Sequence, residues 1–151
     1  MKTLVIDPDI KKSGIAQYNS DSGRITYGAE DIGSLLSFCK KENPDVIYVE
    51  ASWNIAKANL RKTQFNVSYA SKQALHAGQN QGFGLAIVQL LKSEGFKVME
   101  VNPIEKPKGW KPNGSWSPAG RQAFSRQFGE LKGINDDVRD AIFLLNHLIR
   151  N

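Results

Sequence analysis

Two hydrophobic periods divide the chain. Thr3-Leu4-Val5-Ile6 is an unbroken strand-favouring run that ends in Asp7, and Pro8 then withholds a backbone donor. Val46 to Val49 repeats this grammar and runs into Glu50. Unbroken apolar runs of this length predict strands covered on both faces. Ser13–Asn19 and Arg24–Ala29 read as two further strands, joined by the turn Ser20–Gly23. Such short links predict an antiparallel meander. Phe96–Val101 supplies a fifth strand.

Helical spacing takes over elsewhere. Ile32, Leu35, Leu36 and Cys39 share a face, with Asp31 as the cap and Asn43-Pro44 as the stop. Tyr69–Gly95 predicts a long helix with Ala70, Ala74, Ala77, Leu85, Val88 and Leu91 on its packed face. Gly78, Gly82 and Gly84 lie inside it, each at a cost of about 1 kcal/mol against alanine. Gly78 and Gly82 share a side, which predicts close approach to another helix or to the sheet. Ser117-Pro118 opens a helix that runs to about Phe128. Asp136–Arg150 predicts the last helix, with Val138, Ala141, Ile142, Leu145 and Ile149 as its apolar stripe. Ala51–Asn66 is basic and without clear periodicity, a loop or a short irregular helix, and Asn102–Ser117 is a basic loop with interleaved tryptophans.

The element order is therefore β-β-β-α-β-α-β-α-α, an α/β fold with a five-stranded mixed sheet in one domain over residues 1–151. A right-handed crossover makes the first and fourth strands parallel neighbours. Asp7 and Glu50 then leave the sheet at one edge, where open α/β sheets carry their sites. If the last helix starts at that edge, Asp137 and Asp140 join them, one turn apart on a shared face.

Charge sharpens this picture. The net charge is +5, and between Ala51 and Arg126 eleven Lys/Arg stand against three acids. A basic middle between acidic ends predicts an electropositive surface around a carboxylate cluster, and hence an anionic partner such as nucleic acid. Lys57, Arg61, Lys62, Lys106, Lys108, Lys111, Arg121 and Arg126 are the candidate phosphate contacts. Cys39 is the single cysteine, which excludes a disulfide framework and a cysteine zinc site. No apolar run is long enough to span a bilayer, and the expectation is a protein of the cytoplasm.

Four converging carboxylates repel one another unless cations intervene, and oxygen-only donors suit Mg²⁺ or Mn²⁺. Two such ions would serve in-line hydrolysis of a phosphodiester. The plainer explanation is that acids at helix starts stabilise the macrodipole by a few tenths of a kcal/mol. Asp9, Asp45 and Asp136 fit turn or capping roles, although Asp136 could exchange places with Asp137. His147 lies two helical turns beyond Asp140, too far to share an ion, and His76 sits in the long helix.

Several blocks together carry a resemblance. Ile6-Asp7-Pro8 followed by Ser13-Gly14-Ile15, Val49-Glu50 with Trp53 three positions on, Gly78-Gln79-Asn80-Gln81-Gly82, and Asp137-x-x-Asp140-Ala141 resemble the RuvC family of Holliday-junction resolvases, in family order. The small size is similar to a bacteriophage-type member, in a bacterial or phage-infected cell. The resemblance implies a ribonuclease H-like fold and a homodimer with the long helix at its interface. It implies paired, Mg²⁺-dependent nicking of four-way DNA junctions, the activity of a crossover junction endodeoxyribonuclease. Asp7, Glu50, Asp137 and Asp140 would be the metal-binding acids, and Trp53 would stack against bases at the opened crossover. The family has lysines near the site after its fifth strand and before the next helix. Here Lys106, Lys108 and Arg121 lie near those positions. The alternatives are a related nuclease acting on other branched DNA or RNA, and a non-catalytic junction- or RNA-binding domain on the same fold.

Overall fold

A computed structural model of the chain describes residues 1–54 and 78–151 in full and 67–77 as backbone. Strands β1 (Lys2–Asp7), β2 (Ser13–Asn19) and β3 (Arg24–Glu30) form the expected antiparallel meander. On the other side of β1, β4 (Val46–Glu50) runs parallel to it, and β5 (Val98–Val101) parallel to β4. The sheet order is β3-β2-β1-β4-β5, so β1 is central. This is the mixed five-stranded sheet expected from the sequence, with helices packed on both faces.

The apolar runs are continuous because each central strand feeds two cores. Leu4 and Ile6 of β1, with Ile47 and Val49 of β4, pack on Leu35, Cys39, Ile87, Val88 and Leu91. Those partners come from helices α1 (Ile32–Glu42) and α2 (Val67–Ser93). Val5 and Ala16 point the other way, against Phe124 of α3 (Pro118–Phe128) and Val138, Ala141, Ile142 and Leu145 of α4 (Asp136–Arg150). Successive strand residues face opposite sides, so neither face of β1 could carry a polar residue without cost.

Most boundaries follow local chemistry. Asp31 caps α1 by accepting from the Ser34 amide at 2.9 Å, and Asn43 ends it in a left-handed conformation, φ 49°. Ser117 caps α3 in the same way through the Gly120 amide, with Pro118 at the first helical position. The helix predicted over Tyr69–Gly95 runs instead from Val67 to Ser93, because Gly95 turns the chain at φ 89° and delays β5 to Val98. Leu85 and Ile149, predicted in the core, are exposed. Residues 55–66, the rest of the loop read after β4, lie outside the described residues, as do the side chains of Ala70, Ala74, His76 and Ala77.

The glycine expectation is corrected. Among the described residues nothing stands within 4 Å of a methyl group built on Gly78 or Gly82; the close approach in α2 is at Gly84, against the Trp53 ring. A second close approach sets the position of α4. A Cβ on Gly14 would lie inside the Asp137 carbonyl group, so the start of α4 rests directly on the β2 backbone.

Gly14→Ala is expected to destabilise the protein by about 1–3 kcal/mol, the usual cost of overpacking against backbone. Gly28→Ala on the adjacent strand, where the nearest atom is the Ile15 side chain at 4.0 Å, should be neutral or mildly stabilising. Urea unfolding of the two variants checks the contrast, and equal losses would contradict the seating of α4.

Candidate active site at the carboxyl edge of the sheet

The β1–β4 register places Ile6 opposite Val49, so the next residues, Asp7 and Glu50, emerge side by side. Asp7 is also the last residue paired with β2, opposite Gly14. Since Gly14 carries the first turn of α4, the same strand pairing brings Asp137 and Asp140 to this edge. Asn135 caps α4 through the Val138 amide at 2.9 Å, which fixes where that first turn begins. The four predicted carboxylates thus share one neighbourhood, and three of them have pKa values raised there.

Burial is the largest influence on Asp7, and Glu50, Asp140 and Asp137 add to it, so its carboxyl is held well above the usual range. Glu50 is likewise raised, by burial first, against the opposing effect of Lys106. Asp137 is pushed up to about 6, by burial and then by Asp9, Asp140 and Asp136. Asp9 keeps its turn role, accepting from the Lys11 amide at 2.9 Å, while its charge also bears on Asp137.

Asp140 is buried and meets two cations. Lys111 Nζ donates to its Oδ2 at 2.7 Å, and Lys106 Nζ lies 2.8 Å from its Oδ1. The Lys106 contact is an ion pair without hydrogen-bond geometry, since Oδ1 has no hydrogen-bond donor. The Lys106 and Asp140 side chains are each 7% exposed, and Lys111 is 24% exposed. Burial disfavours the charge on Lys111, but Asp140, Asp7 and Glu50 outweigh it and raise the pKa of the ammonium. Trp116 Nε1 donates to Asp140 Oδ2 at 3.3 Å as a third partner. No periodicity marks that indole, although a tryptophan closing a basic, proline-rich loop is a visible signal.

Other predicted residues are placed differently. Lys106 and Lys111, read as phosphate contacts, turn inward onto Asp140. Lys108 and Arg126 are exposed, while Arg121 is exposed and paired with Asp136 at 2.9 Å. Arg139 also holds Asp136, at 2.7 Å. Burial opposes the Asp136 charge, but these two arginines keep its carboxyl below the usual range. Asp136 is thus held by two arginines, whereas Asp137 has no ion-pair partner among the described residues. Lys57, Arg61 and Lys62 lie outside the described residues. Trp53 packs on the α1–α2 core, and its Nε1 donates to Glu100 Oε1 at 3.0 Å. The His147 carbonyl accepts from the Asn151 carboxamide at 2.9 Å.

The donor set suits a hard divalent cation in kind: all oxygens, with Glu50 Oε2 buried and lacking a hydrogen-bond partner. Among the described residues, no three His, Cys, Asp or Glu side chains stand close enough together to hold one ion in this arrangement. Lysine ammonium groups provide the positive charge around Asp140. Ion binding would therefore need small side-chain movements within the cluster.

No protein-family model matches the chain, and no curated protein matches it in sequence. Among solved structures, it is similar to the Holliday junction resolvase of fowlpox virus. The identity is 15% and the TM-score 0.46, over 99% of this chain and 98% of that one. It is also similar to YeaZ from Pseudomonas aeruginosa at 15% identity and a TM-score of 0.36, over 68% of this chain and 43% of that one. No helix among the described residues is long and apolar enough to cross a membrane.

The raised Asp137 gives a signed prediction for the metal-free protein. Below about pH 4 its carboxyl is protonated in both the folded and unfolded states. Between the ordinary value of 3.8 and about 6, the unfolded chain ionises first, so stability is lost as pH rises. Asp137→Asn cannot ionise, and should raise Tm near pH 7.5 while changing it little near pH 4. Thermal unfolding at both pH values checks this. Lys111→Met removes one of two cations from a buried carboxylate, and should cost up to about 3 kcal/mol in urea unfolding near neutral pH.

Proposed function

We propose that the protein is a divalent-metal-dependent nuclease that cuts branched DNA, with four-way junctions as its substrate. The observation that supports this best is the convergence of Asp7, Glu50, Asp137 and Asp140 at one sheet edge, with Lys106 and Lys111 among them. Burying so many carboxylates costs stability, and stability alone gives no reason to keep them. A phosphodiester substrate gives one.

In this reading Asp7, Glu50, Asp137 and Asp140 would hold Mg²⁺, two ions per site, with Lys106 and Lys111 beside Asp140. When bound, Mg²⁺ supplies Lewis acidity at the scissile phosphate. Water attacks phosphorus in line, and the bond to the leaving oxygen breaks. A carboxylate of the cluster would accept the proton from that water, and the leaving oxygen would take one up from solvent. Lys106 and Lys111 are positioned to meet charge that develops on the phosphate oxygens. Exposed Lys108 and Arg126, and Lys57, Arg61 and Lys62 of the preceding loop, would grip backbone phosphates farther out.

Paired nicking of a two-fold symmetric junction calls for two sites, and so for a homodimer. The open side of α2 at Gly78 and Gly82 is consistent with a second copy packing there. Trp53 would reach DNA bases only by leaving its Glu100 partner, so its role in this reading is first to anchor the turn after Glu50.

One observation favours a second reading. Lysines already pair with Asp140, and among the described residues no three acids are grouped for one ion, which suits a junction-binding domain without catalysis. Cleavage of a mobile synthetic four-way DNA junction, with and without Mg²⁺, separates the two. Symmetric nicks are expected in Mg²⁺, with a loss of at least about a hundredfold in rate for Asp7→Asn while junction binding persists. Tight binding with no cleavage in Mg²⁺ or Mn²⁺ would instead identify a binding domain.

A further inference from the structure

A cavity of about 630 Å³ opens between the segment after β5 and the outer face of α4, beside the carboxylates. That volume lies within the roughly 300–1,000 Å³ typical of small-ligand sites. Phe143, Asn146 and Arg150 line it from one side of α4, at helical spacings of three and four residues. Gln127, at the end of α3, contributes from the facing wall. Among the described residues, the side chains of Gln127, Asn146 and Arg150 have no hydrogen-bond or ion-pair partner. Lys106 belongs to both places. Its ammonium lies 5.3 Å from the Phe143 ring centroid and 2.8 Å from Asp140 Oδ1.

We propose that this cavity is a nucleotide subsite, taking one unstacked base of the substrate strand with its phosphate directed to Arg150. The proposal deepens the nuclease reading and rests on it for the source of the nucleotide. Phe143 and the apolar wall offer a surface for a base. Two free carboxamides, each with a donor and an acceptor, can meet a base edge, as Asn and Gln do in reading adenine. Arg150 supplies a cation for the attached phosphate. A divalent metal does not fit, because Glu105 is the only acidic side chain of the lining. Through Lys106, occupancy of the cavity would be felt at the carboxylate cluster, so the base held there could set where the strand is cut.

The test titrates dAMP, dCMP, dGMP and dTMP separately into the full ¹⁵N-labelled chain without junction DNA, reading backbone and carboxamide shifts. Saturable shifts are expected at Phe143 to Arg150 and at the Gln127 and Asn146 carboxamides. Dissociation constants should be near millimolar and differ between bases. Asn146→Leu with Arg150→Gln should weaken them by about tenfold. The same double variant should also change the preferred cut positions on a four-way junction. Absence of saturable shifts at the cavity, or shifts that the double variant leaves intact, would overturn the subsite. So would junction cleavage at unchanged rate and position in the double variant, while leaving the nuclease reading standing. Nucleotide binding at the cavity in a protein that cuts no junction would keep the subsite and reject the junction as substrate. Nucleosides binding as tightly as nucleotides would reject the role given to Arg150.

Discussion

The ion pairing of Asp140 with Lys106 and Lys111 is the contact on which the site depends. Four carboxylates meet at one edge, and an unpaired buried charge would cost several kcal/mol or be protonated. At an effective dielectric of about 20, a cation about 4 Å from an acid returns about 4 kcal/mol of Coulomb energy. Two such cations let Asp140 be buried while its neighbours take up the strain as raised pKa values. A chain lacking either lysine would have to protonate the cluster or open it to water.

Holding two lysines there is the work of the proline-rich loop. Trp110 and Trp116 pack at a tilt with ring centroids 5.9 Å apart, and Trp116 continues edge-on into Phe124 of α3. Trp110 meets Phe143 of α4 edge-on as well. The Ser117 hydroxyl donates to the Gly109 carbonyl at 2.8 Å. At Gly120 the chain passes so near the Trp110 carbonyl that a side chain would not fit there. The loop is thus tied to α3 and α4 by aromatic contacts as well as by hydrogen bonds. Lys106 and Lys111 are carried on that frame, which also forms the wall between the carboxylates and the neighbouring cavity.

The basic residues of the middle segment divide accordingly into two groups. Lys106 and Lys111 face inward and balance fixed charge within the site. Lys108 and Arg126 are exposed and have no ion-pair partner among the described residues. Arg121 stands between these roles, exposed yet paired with Asp136. A count of lysines and arginines treats all of these alike, although an inward lysine adds little to the outer field.

Much of the fold was legible in the chain because its cause is local. Unbroken runs marked β1 and β4, Asp31 and Ser117 announced their helices, and the short links fixed the meander. The crossover rule then placed Asp7 beside Glu50, which the register of Ile6 on Val49 bears out. Asp137 and Asp140 needed only the start of α4 at that edge. The extent of α2, the exposure of Leu85 and Ile149, and the glycine that makes a close approach were not legible, since each depends on what lies opposite in space. The inward turn of Lys106 and Lys111, the indole of Trp116 on Asp140 and the Trp53–Glu100 bond have the same origin. The sequence alone determined which elements form and that Asp7 and Glu50 share an edge, because hydrophobic period, caps and handedness act over a few residues. Tertiary structure alone decided which cations meet those acids, because charge pairing acts through space between segments that the chain keeps far apart.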